Sequence, residues 1–308
     1  MKYPAFVFLL FSLNLHAQSP AVSPAHPVLE PLSNVRDLAV SADQTEWFFS
    51  IQSPDGAISR IATFRKKGKG WTSPELMPFS ETWSDLEPFL SADGRRLYFA
   101  SNRPKNATDS AASDFDIWFV ERSSPGGAWS APKNPGAPVN TPGDEFYPSL
   151  TTTGDLYFTT EKAGGAGRDD IWHSRWNGTA FEQPEPIGSA VNTEGMEFNA
   201  FVAPDGSFLL FSRYNAAGAP GSGDLFIARK DASGVWQPAQ LAGDAINTRF
   251  MEFSPFYDAN AKTLYFASRR NALENKPFKS AEAFLNHVRD GQNGLLKLYK
   301  VQVDLSGK

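Results

Sequence analysis

Four carboxylates recur in the chain, each three residues ahead of a proline or alanine: Asp85-x-x-Pro88, Glu145-x-x-Pro148, Glu197-x-x-Ala200 and Glu252-x-x-Pro255. A basic residue follows at similar spacing: Arg103, Lys162, Arg213 and Arg269 or Arg270. A second set of acids, Asp116, Asp170 and Asp224, opens a later apolar segment in three of the units. Two carboxylates in unequal environments can serve as acid and base on a glycosidic bond. Repetition points elsewhere, because a catalytic centre needs different residues in different roles. Carboxylates at equivalent places can accept backbone N–H bonds, pair with the arginines, or line a mixed-charge rim that holds a partner. The candidate binding residues are therefore Asp85, Glu145, Glu197, Glu252, Arg103, Arg213, Arg269, Asp116, Asp170 and Asp224, with no catalytic residue assigned.

Other chemistries lack their residues. The 308 residues include no cysteine and four histidines, so thiolate catalysis, disulfides and Cys–zinc sites are out. His16 falls in the apolar leader, His173 in a strand, His287 in an insertion, and His26 in an N-terminal stretch expected to be mobile. Asp109, Asp114 and Asp116 are oxygen donors close in sequence, but their spacing is not that of a calcium-binding EF-hand loop. Gly164-Gly165-Ala166-Gly167 has no lysine for a phosphate and leads into a strand. There is no Gly-x-Ser-x-Gly elbow. No metal and no cofactor is expected. A net charge of −5 without a basic stripe excludes a nucleic-acid partner.

The elements that position these residues repeat. Apolar runs end in Phe49, Phe99, Phe158, Phe211 and Phe266, spaced 50, 59, 53 and 55 residues apart. A turn precedes each run, such as Asp93-Gly94 or Asp205-Gly206, and another short strand precedes the turn. A third strand starts at Asp116-Ile117-Trp118, Asp170-Ile171-Trp172 and Asp224-Leu225-Phe226, with Lys297-Leu298-Tyr299 as the divergent copy. A fourth segment carries an aromatic and then proline: Trp71…Pro74, Trp129…Pro132, Phe181…Pro184 and Trp236…Pro238. Four short strands per unit predict an all-β, five-bladed propeller; six blades would need a sixth anchor. The last unit lacks a fourth strand. The stretch Pro27-Val28-Leu29-Glu30-Pro31-Leu32 is expected to supply it and so close the ring. Residues 271–294 interrupt the last unit, with Ser280 as N-cap, a short helix over Ala281 to Arg289, and Gly291 as stop.

Two segments carry a resemblance. Ser91-Ala92-Asp93-Gly94-Arg95-Arg96-Leu97-Tyr98-Phe99-Ala100-Ser101-Asn102-Arg103-Pro104 is followed by Asp116-Ile117-Trp118. Between units recur Val139-Asn140-Thr141-Pro142-Gly143-Asp144-Glu145, Val191-Asn192-Thr193…Glu197 and Ile246-Asn247-Thr248…Glu252. Over residues 34–305 the chain resembles the WD40-like repeats of TolB-type exported bacterial propellers. The resemblance implies a binding scaffold of the cell envelope.

Lys2, the apolar stretch Ala5 to Leu15 and His16-Ala17-Gln18 predict a cleaved leader, residues 1–17. Residues 18–308 then form one monomeric propeller domain, periplasmic or extracellular, with no transmembrane segment. The expected function is non-catalytic binding of an envelope protein or glycan. The expected contact face carries Asp85, Glu145, Glu197, Glu252, the Arg103 loop and the insertion. The alternative is a carbohydrate-active enzyme or lectin using that same face.

Overall fold

The computed structural model describes residues 21–106, 108–289 and 291–305. The expected leader lies outside the described residues. A short strand β1 (Ser23–Pro24) comes first. Blade one follows with β2 (Val35–Val40), β3 (Glu46–Gln52), β4 (Ser59–Lys67) and two outer pieces, β5 (Gly70–Trp71) and β6 (Glu75–Leu76). Blade two has β7 (Asp85–Leu90), β8 (Arg96–Ser101) and β9 (Asp116–Glu121). Its outer strand is reduced to one pair, Phe119 opposite Lys133. Blade three has β10 (Glu145–Leu150), β11 (Leu156–Thr160), β12 (Asp170–Ser174) and β13 (Glu185–Pro186). Blade four has β14 (Glu197–Val202), β15 (Phe208–Tyr214), β16 (Gly223–Arg229) and β17 (Gln240–Leu241). Blade five has β18 (Glu252–Asp258), β19 (Thr263–Ser268), a helix α1 (Ala281–Arg289) in the next connection, and β20 (Lys297–Gln302).

The chain is thus an all-β, five-bladed propeller of four-stranded antiparallel blades. Turn chemistry sets the hairpins. In blade two, Ser91 Oγ donates to Asp93 Oδ1 at 2.6 Å and accepts from Arg96 N–H at 2.8 Å. Ser41 and Asp43 repeat the device in blade one. The second strands are apolar at consecutive positions because both faces of a blade are covered by neighbours. Phe49, Phe99, Phe158, Phe211 and Phe266 are all fully buried. Each removes enough apolar surface from water to contribute about 1.5–3 kcal/mol.

Blade five is completed from the N-terminus, as expected, but by different residues. The order β1-β20-β19-β18 places Ser23 opposite Lys300 and Pro24 opposite Tyr299. The expected stretch 27–32 instead forms turns, with Leu29 N–H on His26 O and Leu32 N–H on Leu29 O. Pro27 and Pro31 suit turns because proline presets φ and offers no N–H to a ladder. Leu29 and Ala25 are buried in the cluster that joins blades five and one. His26 is half-buried among Trp47, Phe64 and Trp71, with ring centroids 4.7–4.9 Å away. It packs there and is not the mobile residue expected.

The helix α1 spans the predicted residues. Ser280 Oγ accepts the Ala283 N–H at 3.1 Å, the bond an N-cap makes. None of the helical side chains is buried. Among the described residues no helix is long and apolar enough to cross a membrane.

Candidate functional site

Antiparallel order puts the start of each first strand, the end of the second and the start of the third at one end of the blade. The connections between blades and those from second to third strand therefore share one face, the loop face. The short hairpins share the other.

The four repeated acids sit at the loop-face end of the first strands, fully buried. Asp85 accepts from Arg103 Nη2 at 2.7 Å and Glu197 from Arg213 Nε at 2.7 Å. Glu252 faces Arg270 at 3.7 Å and accepts from Ser268 Oγ at 2.6 Å. Arg269, the residue favoured from sequence, is exposed; its neighbour Arg270 is the buried partner. Adjacent strand residues point to opposite faces, so only one of the pair can turn inward. Glu145 faces no arginine. It accepts from Thr141 through both N–H and Oγ1. Burial pushes its carboxyl up to about 7; the Thr141 bonds hold it back and the charges of Asp116 and Asp114 add to the rise. Asp85 is also raised by burial, against the pull of Arg103.

The Asn-Thr pairs explain why the inter-blade motif repeats. Asn140 Oδ1 accepts from Ile117 N–H and its Nδ2 donates to Ile117 O, both at 2.9 Å. Asn192 grips Ile171 in the same way, and Asn247 grips Leu225. The following threonine donates to the acid that starts the next blade, Thr193 to Glu197 and Thr248 to Glu252. Each linker so ties the third strand of one blade to the first strand of the next.

The third-strand acids are buried too. Asp116 pairs with Lys105 at 3.2 Å and accepts from Asn134. Asp170 accepts from Gly167 N–H, and Asp224 from Gly221 N–H. The glycine-rich stretch has its reason here: a Cβ on Gly167 would stand 2.1 Å from Gly195 O in the next linker. Asp109 is held by Asn106, and Asp114 by Ser113 and Gly143 N–H. No group of three potential metal ligands occurs among the described residues.

A second set of residues meets on the axis. Every first strand has a register shift, and one residue at each shift takes positive φ: Asp37 (52°), Glu87 (61°), Tyr147 (51°), Asn199 (55°) and Ser254 (53°). Non-glycine residues adopt this region at a cost, and bulges are where side chains are re-aimed. All five are buried. Arg36 joins them, donating to Asp37 Oδ1 at 2.7 Å and Glu87 Oε1 at 2.9 Å. Ser254 Oγ donates to Asp37 Oδ1 at 2.6 Å, Asn199 Nδ2 to Glu87 Oε1 at 3.2 Å, and Tyr147 N–H to Glu87 Oε2 at 2.7 Å. Tyr147 Oη reaches Pro255 O at 3.0 Å. Burial pushes the Glu87 carboxyl up to about 7, with Arg36 opposing and Asp37 adding to the rise. Tyr147 is raised well above its ordinary value by burial and by both carboxylates.

None of these five is among the candidate residues read from the sequence. The signal was present: each axial residue stands two after the repeated acid, or two after Val35 in blade one. It is the position that varies while its surroundings repeat. Chemically, the cluster is a plug whose one guanidinium holds two carboxylates and whose remaining members hydrogen-bond across blades.

Beside its exposed charged residues, the loop face also exposes large apolar side chains. Ile58, Tyr214, Phe284, Leu285 and Leu295 are each at least 41% exposed. Ile58, Phe284, Leu285 and Leu295 lie in the second-to-third connections of blades one and five and Tyr214 ends β15 in blade four; these blades are ring neighbours. The insertion is closed by pairing of Asn271 with Asn293, and Lys297 Nζ reaches Glu30 O in the closing segment at 3.3 Å. His287 packs beside Phe278 with centroids 5.1 Å apart, and His173 beside Tyr157 at 4.6 Å.

No protein-family model matches the chain. No curated protein matches it by sequence. Solved structures do resemble it. A putative TolB from Agrobacterium tumefaciens superposes with a TM-score of 0.50 at 13% identity, covering 77% of this chain and 70% of that one. An α-L-arabinofuranosidase from Lactobacillus brevis gives 0.53 at 10% identity, covering 90% and 91%. TolB from Acinetobacter baumannii gives 0.48 at 11% identity, and the chain spans 54% of that protein's length. At these identities what is shared is the fold, and the chain is a five-bladed β-propeller with TolB and glycosidase structures among its neighbours.

Proposed function

We propose that the protein is an exported binding module that holds a protein of the cell envelope through its loop face. The observation that carries this reading is the set of exposed apolar side chains on that face, Ile58, Tyr214, Phe284, Leu285 and Leu295, drawn from three adjacent blades. Exposed apolar groups gathered on one side of a protein mark interaction sites more often than single scattered ones. The buried carboxylates support the same reading. Asp85, Glu197 and Glu252 are engaged by arginines of their own blades, and the axial carboxylates by Arg36. These acids hold the scaffold, and the insertion and loops supply the contact. The leader read from residues 1–17 supports export.

The test is capture from envelope extract with the wild type beside a Phe284→Asp/Leu285→Asp variant. Both positions are exposed, so the variant keeps its fold. A protein retained by the wild type and lost by the variant supports the reading. Equal retention by both overturns it.

A further inference from the structure

A cleft with a volume of about 820 Å³ opens on the opposite, hairpin face, between blades two and three. Ligand sites run to about 300–1,000 Å³. The hairpins β7–β8 and β10–β11 and the turns after β9 and β12 bound it.

Two half-buried tryptophans line it from different blades, Trp129 and Trp176. Both are seated before any ligand arrives. Trp176 stands edge-on to Phe181 with centroids 4.9 Å apart. Its indole lies so close to Gly154 that a Cβ there would be 3.1 Å from Trp176 Cδ1. Trp129 carries the Arg122 guanidinium over its ring at 4.2 Å, and Glu46 clamps Arg122 with bonds of 2.5 and 3.1 Å. Asp93 and Arg95 are exposed at the rim, and half-buried Glu121 lies beside them.

Flat fixed rings beside both acceptors and donors suit one ligand class. A pyranose has an apolar C–H face and a rim of hydroxyls that each donate and accept. Aromatic surface with a few placed polar groups is the general make-up of such sites. A peptide added as a strand would need an open edge. The outward groups of β9 are already used: Phe119 exchanges both backbone bonds with Lys133, and Glu121 pairs with Ser130. For a nucleic acid the lining offers little net positive charge: Arg96 faces Glu121 at 3.6 Å, Arg122 is held by Glu46, and Asp93 stands beside Arg95. We infer that this cleft binds an oligosaccharide, with Trp129 and Trp176 as stacking surfaces and Asp93 and Arg95 as hydrogen-bonding groups. The site stands apart from the loop face and does not depend on its reading. Together the two faces would join a glycan to a protein.

The test is isothermal titration and tryptophan fluorescence of the purified protein with cellohexaose, chitohexaose and laminarihexaose. The variants are Trp176→Ala, Arg95→Ala and the loop-face pair Phe284→Asp/Leu285→Asp. Saturable binding of at least one sugar is expected, weakened about tenfold or more by Trp176→Ala, less by Arg95→Ala, and not by the loop-face pair. Arg95 is exposed and keeps the test decisive if Trp176→Ala unfolds. Absence of binding to all three sugars overturns the inference, as does binding that neither cleft variant weakens. Loss confined to the loop-face pair overturns it as well and moves the sugar to that face.

Discussion

Arg213 donates to Glu197 at 2.7 Å while its guanidinium lies over Phe226 at 4.6 Å. The corresponding cation of blade three, Lys162, lies over Trp172 at 5.4 Å, and Glu145 is held by Thr141 instead. Both carboxylates accept from a linker threonine, and Glu197 alone of the two has a guanidinium directly bonded to it. The difference follows from side-chain shape, since a guanidinium can stack and donate sideways together, and an ammonium is a point charge.

Arg213→Ala should cost about 3–5 kcal/mol, because Glu197 would remain buried without its counter-charge. Lys162→Ala removes only a cation–π contact and should cost about 1 kcal/mol or less. Urea unfolding of both variants checks this. Equal losses would mean that Arg213 acts by packing and not by charge.

Glu145 makes stability depend on pH. Its folded value of about 7 lies above the ordinary 4.5, so the native state binds the proton more tightly than the unfolded chain. Its contribution is present at low pH and is lost as pH rises from 4.5 to about 7. Glu145→Gln keeps an acceptor for Thr141 and removes the charge. At pH 8 the variant should be more stable than the wild type by roughly 1–3 kcal/mol, and the gap should close toward pH 5. Melting curves at a series of pH values show it; parallel curves would refute it.

Asn192→Ala should cost about 1–3 kcal/mol, since the buried Ile171 N–H loses its acceptor while Ile171 O keeps the Ile187 N–H. Asn192→Asp keeps the acceptor but sets a buried carboxylate oxygen against Ile171 O, and should cost at least as much as alanine. Chemical denaturation ranks the three. An alanine variant as stable as wild type would remove the linker's structural role.

Leu29→Ala should cost about 2–4 kcal/mol, because Leu29 is buried where blades five and one meet. Removing residues 21–33 should cost more, since β1 goes with it. If the truncated chain melts with the wild type, the ring is not held shut by its N-terminus.

The order of strands was legible in the sequence because its causes are local. Ser-x-Asp turns, runs ending in phenylalanine and a spacing of 50–59 residues each specify a piece of a blade. The helix over Ala281–Arg289 was legible for the same reason, with Ser280 capping it. The closing strand was placed in the right blade but on residues 27–32 and not Ser23–Pro24. A strand of two residues has no period to read. Arg269 and Arg270 could not be separated by type; the register of β19, with Ser268 opposite Glu252, decides which one turns inward.

By itself, then, the sequence determined five repeated units, their turns, the ties between blades and the candidate carboxylates, since each rests on residues close along the chain. Only the tertiary structure decided where those carboxylates sit, by burying Asp85, Glu145, Glu197 and Glu252 against partners inside the blades. Only it brought Asp37, Glu87, Tyr147, Asn199 and Ser254 together, from five strands far apart in sequence, through a bulge in each. Whether a polar side chain reaches solvent, a neighbour or the axis depends on register and closure, and closure is a property of the whole ring.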